Sequence, residues 1–185
     1  WMGLFQKRQE GKKAFEDAVH EVLTAVIQES KSVIFNGDGY GKEWPPEAEK
    51  RGLHVQNSGV EATQALTKEK NIALFQKLKV MEPDETAARC DSMHVQYSGM
   101  VEIEAKVMIE MIKTKVLPVS KECGLSSICS SLEAGCKALE AGLHTMESTD
   151  SSYECAKAAR VLRLQTMEEV RAACDEAETL VPASK

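Results

Sequence analysis

Four stretches of this 185-residue chain step their apolar residues alternately by three and four positions, a period that admits helices packed on helices. In the first, Phe15, Val19, Val22, Leu23, Val26 and Ile27 share one face, which predicts a long helix over 10–33. The second, predicted over 84–117 behind Pro83, carries Tyr97, Val101, Ala105, Met108, Ile112, Val116 and Val119. Pro118 should bend or end it, because the ring removes a donor and clashes with the turn before. The third, over 126–147, runs Cys129, Leu132, Cys136, Leu139, Leu143 and Met146, a coiled-coil seam. Gly135 and Gly142 lie beside that seam and would permit close helix approach. The fourth, over 152–180, has Met167, Val170, Cys174, Ala177 and Val181. Breaks at 124–127 and 148–152 are short, so consecutive helices should lie antiparallel. Aromatics make up only 5% of the chain, a mix that favours helix over sheet. The expected fold is all-α: an antiparallel bundle of long helices, with a glycine-rich turn and short helices inserted after the first.

That turn is the most distinctive local sequence. Phe35, Asn36, Gly37, Asp38, Gly39, Tyr40 and Trp44 are predicted to form a rigid structural turn. Asn36-Gly37 and Asp38-Gly39 are pairs that accept positive φ. Phe35, Tyr40 and Trp44 are expected to act as an aromatic anchor. Pro45 and Pro46 suit a first helical turn, and Gly52 the position just past its end. Thr67 reads as the N-cap of the next helix, whose apolar side is Ile72, Leu74, Phe75 and Leu78, with Lys70 where a capping box wants Glu.

Chemistry is scarce. A net charge of −6 argues against a nucleic-acid surface. No apolar run reaches the ~18–20 residues of a membrane span. Cys90, Cys123, Cys129, Cys136, Cys155 and Cys174 form no Cys-x-x-Cys and no zinc-like pairing with histidine. They read as small buried hydrophobes in a reducing cytosol, set against a redox or metal role. His20, His54, His94 and His144 fall on separate elements and read as surface or satisfied structural residues. Asn36, Asp38 and Gly39 fit the third, fifth and sixth positions of a calcium loop. The first position would then be Ile34 and the twelfth Pro45, where a carboxylate is required. No Gly-Lys-Ser/Thr follows the glycines, as a phosphate loop would need. No catalytic, cofactor-binding or metal residue is therefore assigned.

One family resemblance emerges. Phe35-Asn36-Gly37-Asp38-Gly39-Tyr40, then Glu43-Trp44, then Glu47-Ala48-Glu49-Lys50-Arg51-Gly52-Leu53, resembles the region that follows the catalytic domain in type III glutamine synthetases. Asn71, Leu74-Phe75 and Val80 look like that family's next short helix, and Arg89 is similar to the arginine opening its long helix. Tyr97, Ile103-Glu104-Ala105 and Val116-Leu117-Pro118 match the body and end of that helix. Arg171, Asp175, Glu178 and Val181 fit its last helix. The likeness covers about residues 15–125 and 165–181. It departs at 54–58, which replaces a shorter link, and no Trp-Pro and tyrosine-containing tail precedes Lys185.

The resemblance implies a cytoplasmic C-terminal piece of an ATP-dependent glutamate–ammonia ligase, inactive by itself. It implies ATP and magnesium or manganese in the parent but no cofactor in this segment. Its implied partners are the catalytic domain of the same chain and neighbouring subunits of a homo-oligomer. Residues 1–11 are expected to be linker or added sequence, leaving 12–185 as a single helical domain. A stand-alone helical adaptor that binds a partner helix is the alternative from another class, and a redox-sensing bundle is a third.

Overall fold

The structure, a computed structural model, describes residues 15–56 and 58–182. Those residues are all-α, with no strand among them. The expected linker at 1–11 and the start of the first helix at 10–14 lie outside them. Two compact units divide after Gln56.

The first unit opens with α1, Phe15–Glu29, continued by a 3-10 turn at Lys31–Val33. A tight turn follows, in which the Gly41 amide donates to the Asp38 carbonyl at 3.1 Å. It feeds α2, Trp44–Lys50, with its prolines in the first turn. Gly52 ends α2 at φ +72°. Its amide donates to Glu49 at 2.9 Å, and the Leu53 amide reaches back to Ala48 at 2.9 Å. These paired bonds satisfy the last carbonyls, and only glycine adopts that backbone without strain.

The second unit begins with α3, Gly59–Gln64, capped by the Ser58 hydroxyl, which accepts from the Val60 amide at 3.1 Å. A 3-10 turn at Ala65–Thr67 leads to α4, Glu69–Lys77. Thr67 does not cap α4. The cap position falls to Lys68, which offers no side-chain acceptor, while the Thr67 hydroxyl donates back to the Gln64 carbonyl at 2.9 Å. On α4, Leu74 remains about half exposed and Leu78 more so.

Three long rods complete the unit. The first is α5, Pro83–Met111, then a π-helical segment at Ile112–Val116, then α6, Leu117–Glu122. The second is α7, Ser126–Glu147. The third is α8, Ser152–Val161, a π-helical segment at Leu162–Thr166, and α9, Met167–Leu180. The rods run up, down, up. Lys113 pairs with Glu140 at 2.7 Å and Lys121 with Glu133 at 2.9 Å, so α7 runs opposite to the first rod. Asp91 accepts from Ser152 at 2.8 Å and Glu104 lies 3.5 Å from Arg163, so the first and third rods run the same way.

Pro118 does not end its rod. The preceding turn is widened to π geometry, with the Leu117 amide reaching Ile112, and the proline sits in the first turn of α6 where no donor is needed. The inserted residue rotates everything after it. Leu117 and Ser120 are buried, whereas the unbroken period assigned Val116 and Val119 to the core. On α7 the predicted seam is buried in full, from Cys129 to Met146. A Cβ on Gly135 would stand 2.8 Å from Val170 Cγ2, and one on Gly142 2.5 Å from Leu162 Cδ1. Both glycines therefore admit the third rod against α7.

Candidate functional site

Within the first unit, the Phe35 and Trp44 rings meet with centroids 4.4 Å apart, tilted by 32°. Arg51 ties the pair together. Its guanidinium carbon lies 5.5 Å from the centre of Phe35 and 5.8 Å from that of Trp44. The same group donates to the Ile34 carbonyl at 2.7 Å and to Glu47 Oε1 at 2.6 Å. That hydrogen bond from Arg51 holds the Glu47 carboxyl below the usual carboxylate range. One side chain thus links the chain before the turn to the helix after it. The sequence reading quoted Arg51 only within the family resemblance and gave it no part in the turn, although its spacing from Glu47 (i, i+4) and Trp44 (i, i+7) puts it, at the C-cap of α2, on the same face as both.

The other turn residues divide differently from the expectation. Tyr40 is fully exposed and makes no part of the aromatic pair. Its amide donates to Asp38 Oδ1 at 2.9 Å, so Asp38 shapes the turn through its side chain. Neither Gly37 nor Gly39 has a positive φ. Gly37 is small for another reason: a Cβ there would lie 2.5 Å from Phe35 Cζ. Gly39 has open space around it. Asn36 is exposed on the same turn.

In the second unit a polar cluster is buried on α5. His94 Nε2 lies 3.1 Å from the Val60 carbonyl, which can only accept, so the ring carries its proton there. Nδ1 then faces the Cys90 thiol at 3.9 Å. Cys90 Sγ also lies 3.5 Å from the Thr63 carbonyl and 3.6 Å from Gln64 Oε1. Sequence reasoning missed this pair, although i, i+4 spacing on a helix would have flagged it. Chemically it is quiet. Burial, with Asp91 nearby, pushes the Cys90 thiol up, so it stays protonated, and both residues are closed to solvent. The cluster instead fastens α3 to α5. Glu61 on α3 does the same toward α8, bonded to Arg160. The Ser58 hydroxyl, and then Arg160, hold the Glu61 carboxyl below its ordinary range.

The cysteines are free thiols; Cys90, Cys129 and Cys136 are buried, and Cys123, Cys155 and Cys174 half-buried. Burial raises the thiols of Cys136 and Cys174 as well. Among the described residues, no three or more His, Cys, Asp or Glu side chains gather as a metal ion would need. No helix among them is long and apolar enough to cross a membrane.

What the second unit does offer is a surface. An apolar groove of about 530 Å³ runs between α5 and α9, lined by Ile103, Val107, Met111, Met167 and Cys174. It continues into a second groove of about 540 Å³ past Val116, Val119 and Ser120 toward Val181. Ile103, Val107 and Met111 are about half exposed or more, and Met93 and Met100 extend the stripe along α5. Helix α5 therefore has two apolar faces, and only the one centred on Val101 and Ala105 was read as core.

Comparison with known proteins places these features in context. The family described as "Glutamine synthetase C-terminal domain" matches residues 18–132. A glutamine synthetase of Butyrivibrio fibrisolvens is 32% identical over 195 residues, covering 90% of this chain and 28% of that protein. The type-3 glutamine synthetase of Dictyostelium discoideum is 32% identical over 103 residues, covering 56% of this chain and 14% of that protein. A glutamine synthetase of Bacteroides fragilis is 28% identical over 105 residues, 57% of this chain and 14% of that protein. The chain thus spans less than a third of the length of each relative.

Proposed function

The chain belongs to the glutamine synthetase C-terminal domain family, and from that membership we propose that it serves as the non-catalytic helical domain of an ATP-dependent glutamate–ammonia ligase. In this reading the parent enzyme is cytoplasmic and a homo-oligomer, and it uses ATP with magnesium or manganese. Those ligands are held by the region that precedes the domain. The domain packs on that catalytic region or on neighbouring subunits and so supports assembly. The family match over residues 18–132 carries the reading. The exposed apolar groove fits a domain that covers something other than itself.

Deletion tests it. The full-length enzyme and a version truncated before residue 15 would be compared by light scattering and by glutamine formation from glutamate, ammonia and ATP. The expected result is a smaller assembly with at least tenfold lower specific activity. A truncated enzyme with unchanged mass and rate would overturn the assembly role.

A further inference from the structure

We propose that Asn36 is a self-modification site: the Gly37 backbone nitrogen closes on its side-chain carboxamide, ammonia leaves, and the isoaspartate that results unlatches the Phe35–Trp44–Arg51 cluster. It needs neither the parent enzyme nor a partner. Asn36-Gly37 is the one asparagine–glycine step in the chain. Glycine lacks the Cβ that otherwise hinders a backbone nitrogen approaching the side chain before it. Both residues are exposed and lie outside helix. Among the described residues, neither the Asn36 carboxamide nor the Gly37 amide has a hydrogen-bond partner, so no bond must break before they meet.

Asn71 provides the contrast. Its Nδ2 donates to the Ala65 carbonyl at 2.7 Å, and the following amide, of Ile72, donates to the Lys68 carbonyl at 3.1 Å. The branched side chain of Ile72 also crowds that nitrogen. Asp38-Gly39 lies in the same turn as Asn36, but Asp38 Oδ1 is engaged by the Tyr40 amide at 2.9 Å. Its carboxylate would also have to expel an oxygen in place of ammonia.

The step balances. The Gly37 nitrogen bonds to Asn36 Cγ and gives up its proton. The Cγ–Nδ2 bond breaks, and Nδ2 takes up that proton and departs as ammonia. Water then opens the resulting succinimide. Opening at Cγ gives aspartate. Opening at the backbone carbonyl gives isoaspartate, in which the chain runs through Cβ and Cγ and is longer by one atom.

What is fixed on either side makes that extra atom matter. Upstream, the Ile34 carbonyl accepts from Arg51 at 2.7 Å, and the Phe35 ring stacks on Trp44. Downstream, Asp38 accepts from the Tyr40 amide through its side chain and from the Gly41 amide through its carbonyl. Between them Gly37 lies so close to Phe35 that a Cβ would stand 2.5 Å from Cζ. Lengthening the chain there pushes Gly37 against the ring and shifts Phe35 and Ile34 off Arg51. Aspartate keeps the chain length and so keeps the cluster.

Ageing the 185-residue protein in mildly alkaline buffer tests both halves. Peptide mapping, with isoaspartate labelled by a carboxyl methyltransferase, would follow Asn36 and Asn71 in folded and denatured protein. In the folded protein Asn36 is expected to convert about tenfold or more faster than Asn71, and within a few-fold of its own rate in the denatured chain. An Asn36 that survives as long as Asn71, or that is strongly protected by folding, overturns the proposal. In the isoaspartyl fraction the Trp44 indole resonance should move at least halfway to its unfolded position. Asn36→Asp, and Asn36→Ser after the same ageing, should keep the native position; the exposed, unbonded site lets both variants fold. A native Trp44 signal in the isoaspartyl fraction, a displaced one in Asn36→Asp, or an equal displacement in aged Asn36→Ser overturns the unlatching and with it the proposal.

Discussion

Arg51 makes four contacts at once, and no other side chain could make them. Lysine lacks the planar fork that bonds the Ile34 carbonyl and Glu47 while lying over two rings. Arg51→Lys is expected to destabilise the first unit by about 1–2 kcal/mol, read from the Trp44 indole resonance during denaturant titration. Gly37→Val should cost about 1–3 kcal/mol by driving a methyl-bearing carbon into the Phe35 ring. Gly39→Ala and Tyr40→Ser should stay within about 0.5 kcal/mol, because nothing crowds Gly39 and Tyr40 is in solvent. Acid supplies a further check. Glu47 has a lowered folded pKa, so its contribution is present above the unfolded value and is lost as pH falls through the folded one. The unit should weaken on that acid side, and Glu47→Gln should remove the dependence; an unchanged acid limb would show that the Arg51 bond does not matter. The turn's composition was legible in the sequence. Which glycine was constrained, and by what, was not, because the constraint is a ring two residues away rather than a dihedral angle.

Helix ends and helix insertions account for most of what departed from the periodic reading. The α7 seam was legible because its three- and four-residue steps are unbroken from Cys129 to Met146. The first rod was legible only to Met111. Past it the π segment adds a residue, and a periodic argument has no means of detecting an extra residue within a turn. The third rod carries the same device at Leu162–Thr166 without any proline to announce it. The glycines on α7 yield a direct test of rod-to-rod contact. Gly142→Ala gains about 1 kcal/mol of helix propensity but must displace the buried Leu162 methyl, at about 1–3 kcal/mol, so a net loss near 1 kcal/mol is expected in thermal unfolding. A stabilised variant would mean that the rods are not in close contact there. The end of α4 gives the opposite sign. Lys79 stands at φ +55° where the Val80 amide reaches Phe75 and the Lys79 amide reaches Gln76, the bonding that glycine completes at Gly52. Lys79→Gly should therefore stabilise the protein by about 0.5–1 kcal/mol, and a lower midpoint would show that the lysine side chain has a role of its own.

The two units differ in how much they bury, and this should govern the order in which the isolated chain opens. In residues 15–56 the buried hydrophobic side chains are Ala18 and Ala48, whereas Phe15, Leu23 and Ile27 of α1 are more than half exposed. The second unit encloses Val101, Ile112, Leu132, Leu139 and Leu162 in one continuous core. Alanine loses little apolar area on burial, while each of those larger residues contributes about 1.5–3 kcal/mol. The Arg51 cluster is partly exposed, and polar contacts of that kind add only modestly. Amide exchange in the isolated 185-residue protein should therefore be fast across α1 and α2 and slowest along α7 and the central part of α5. The protection of α2 should fall further in Arg51→Lys, with α7 unaffected, because the cluster and the core share no residue. Equal protection in the two units would mean that residues 15–56 gain stability from a source other than their own buried side chains. Within the proposed parent enzyme the comparison gains a second use. If α1 and α2 become as protected as α7 there, the exposed face of α1 is covered by the parent. If they remain fast, the first unit is a mobile appendage, and the assembly role belongs to residues 57–185.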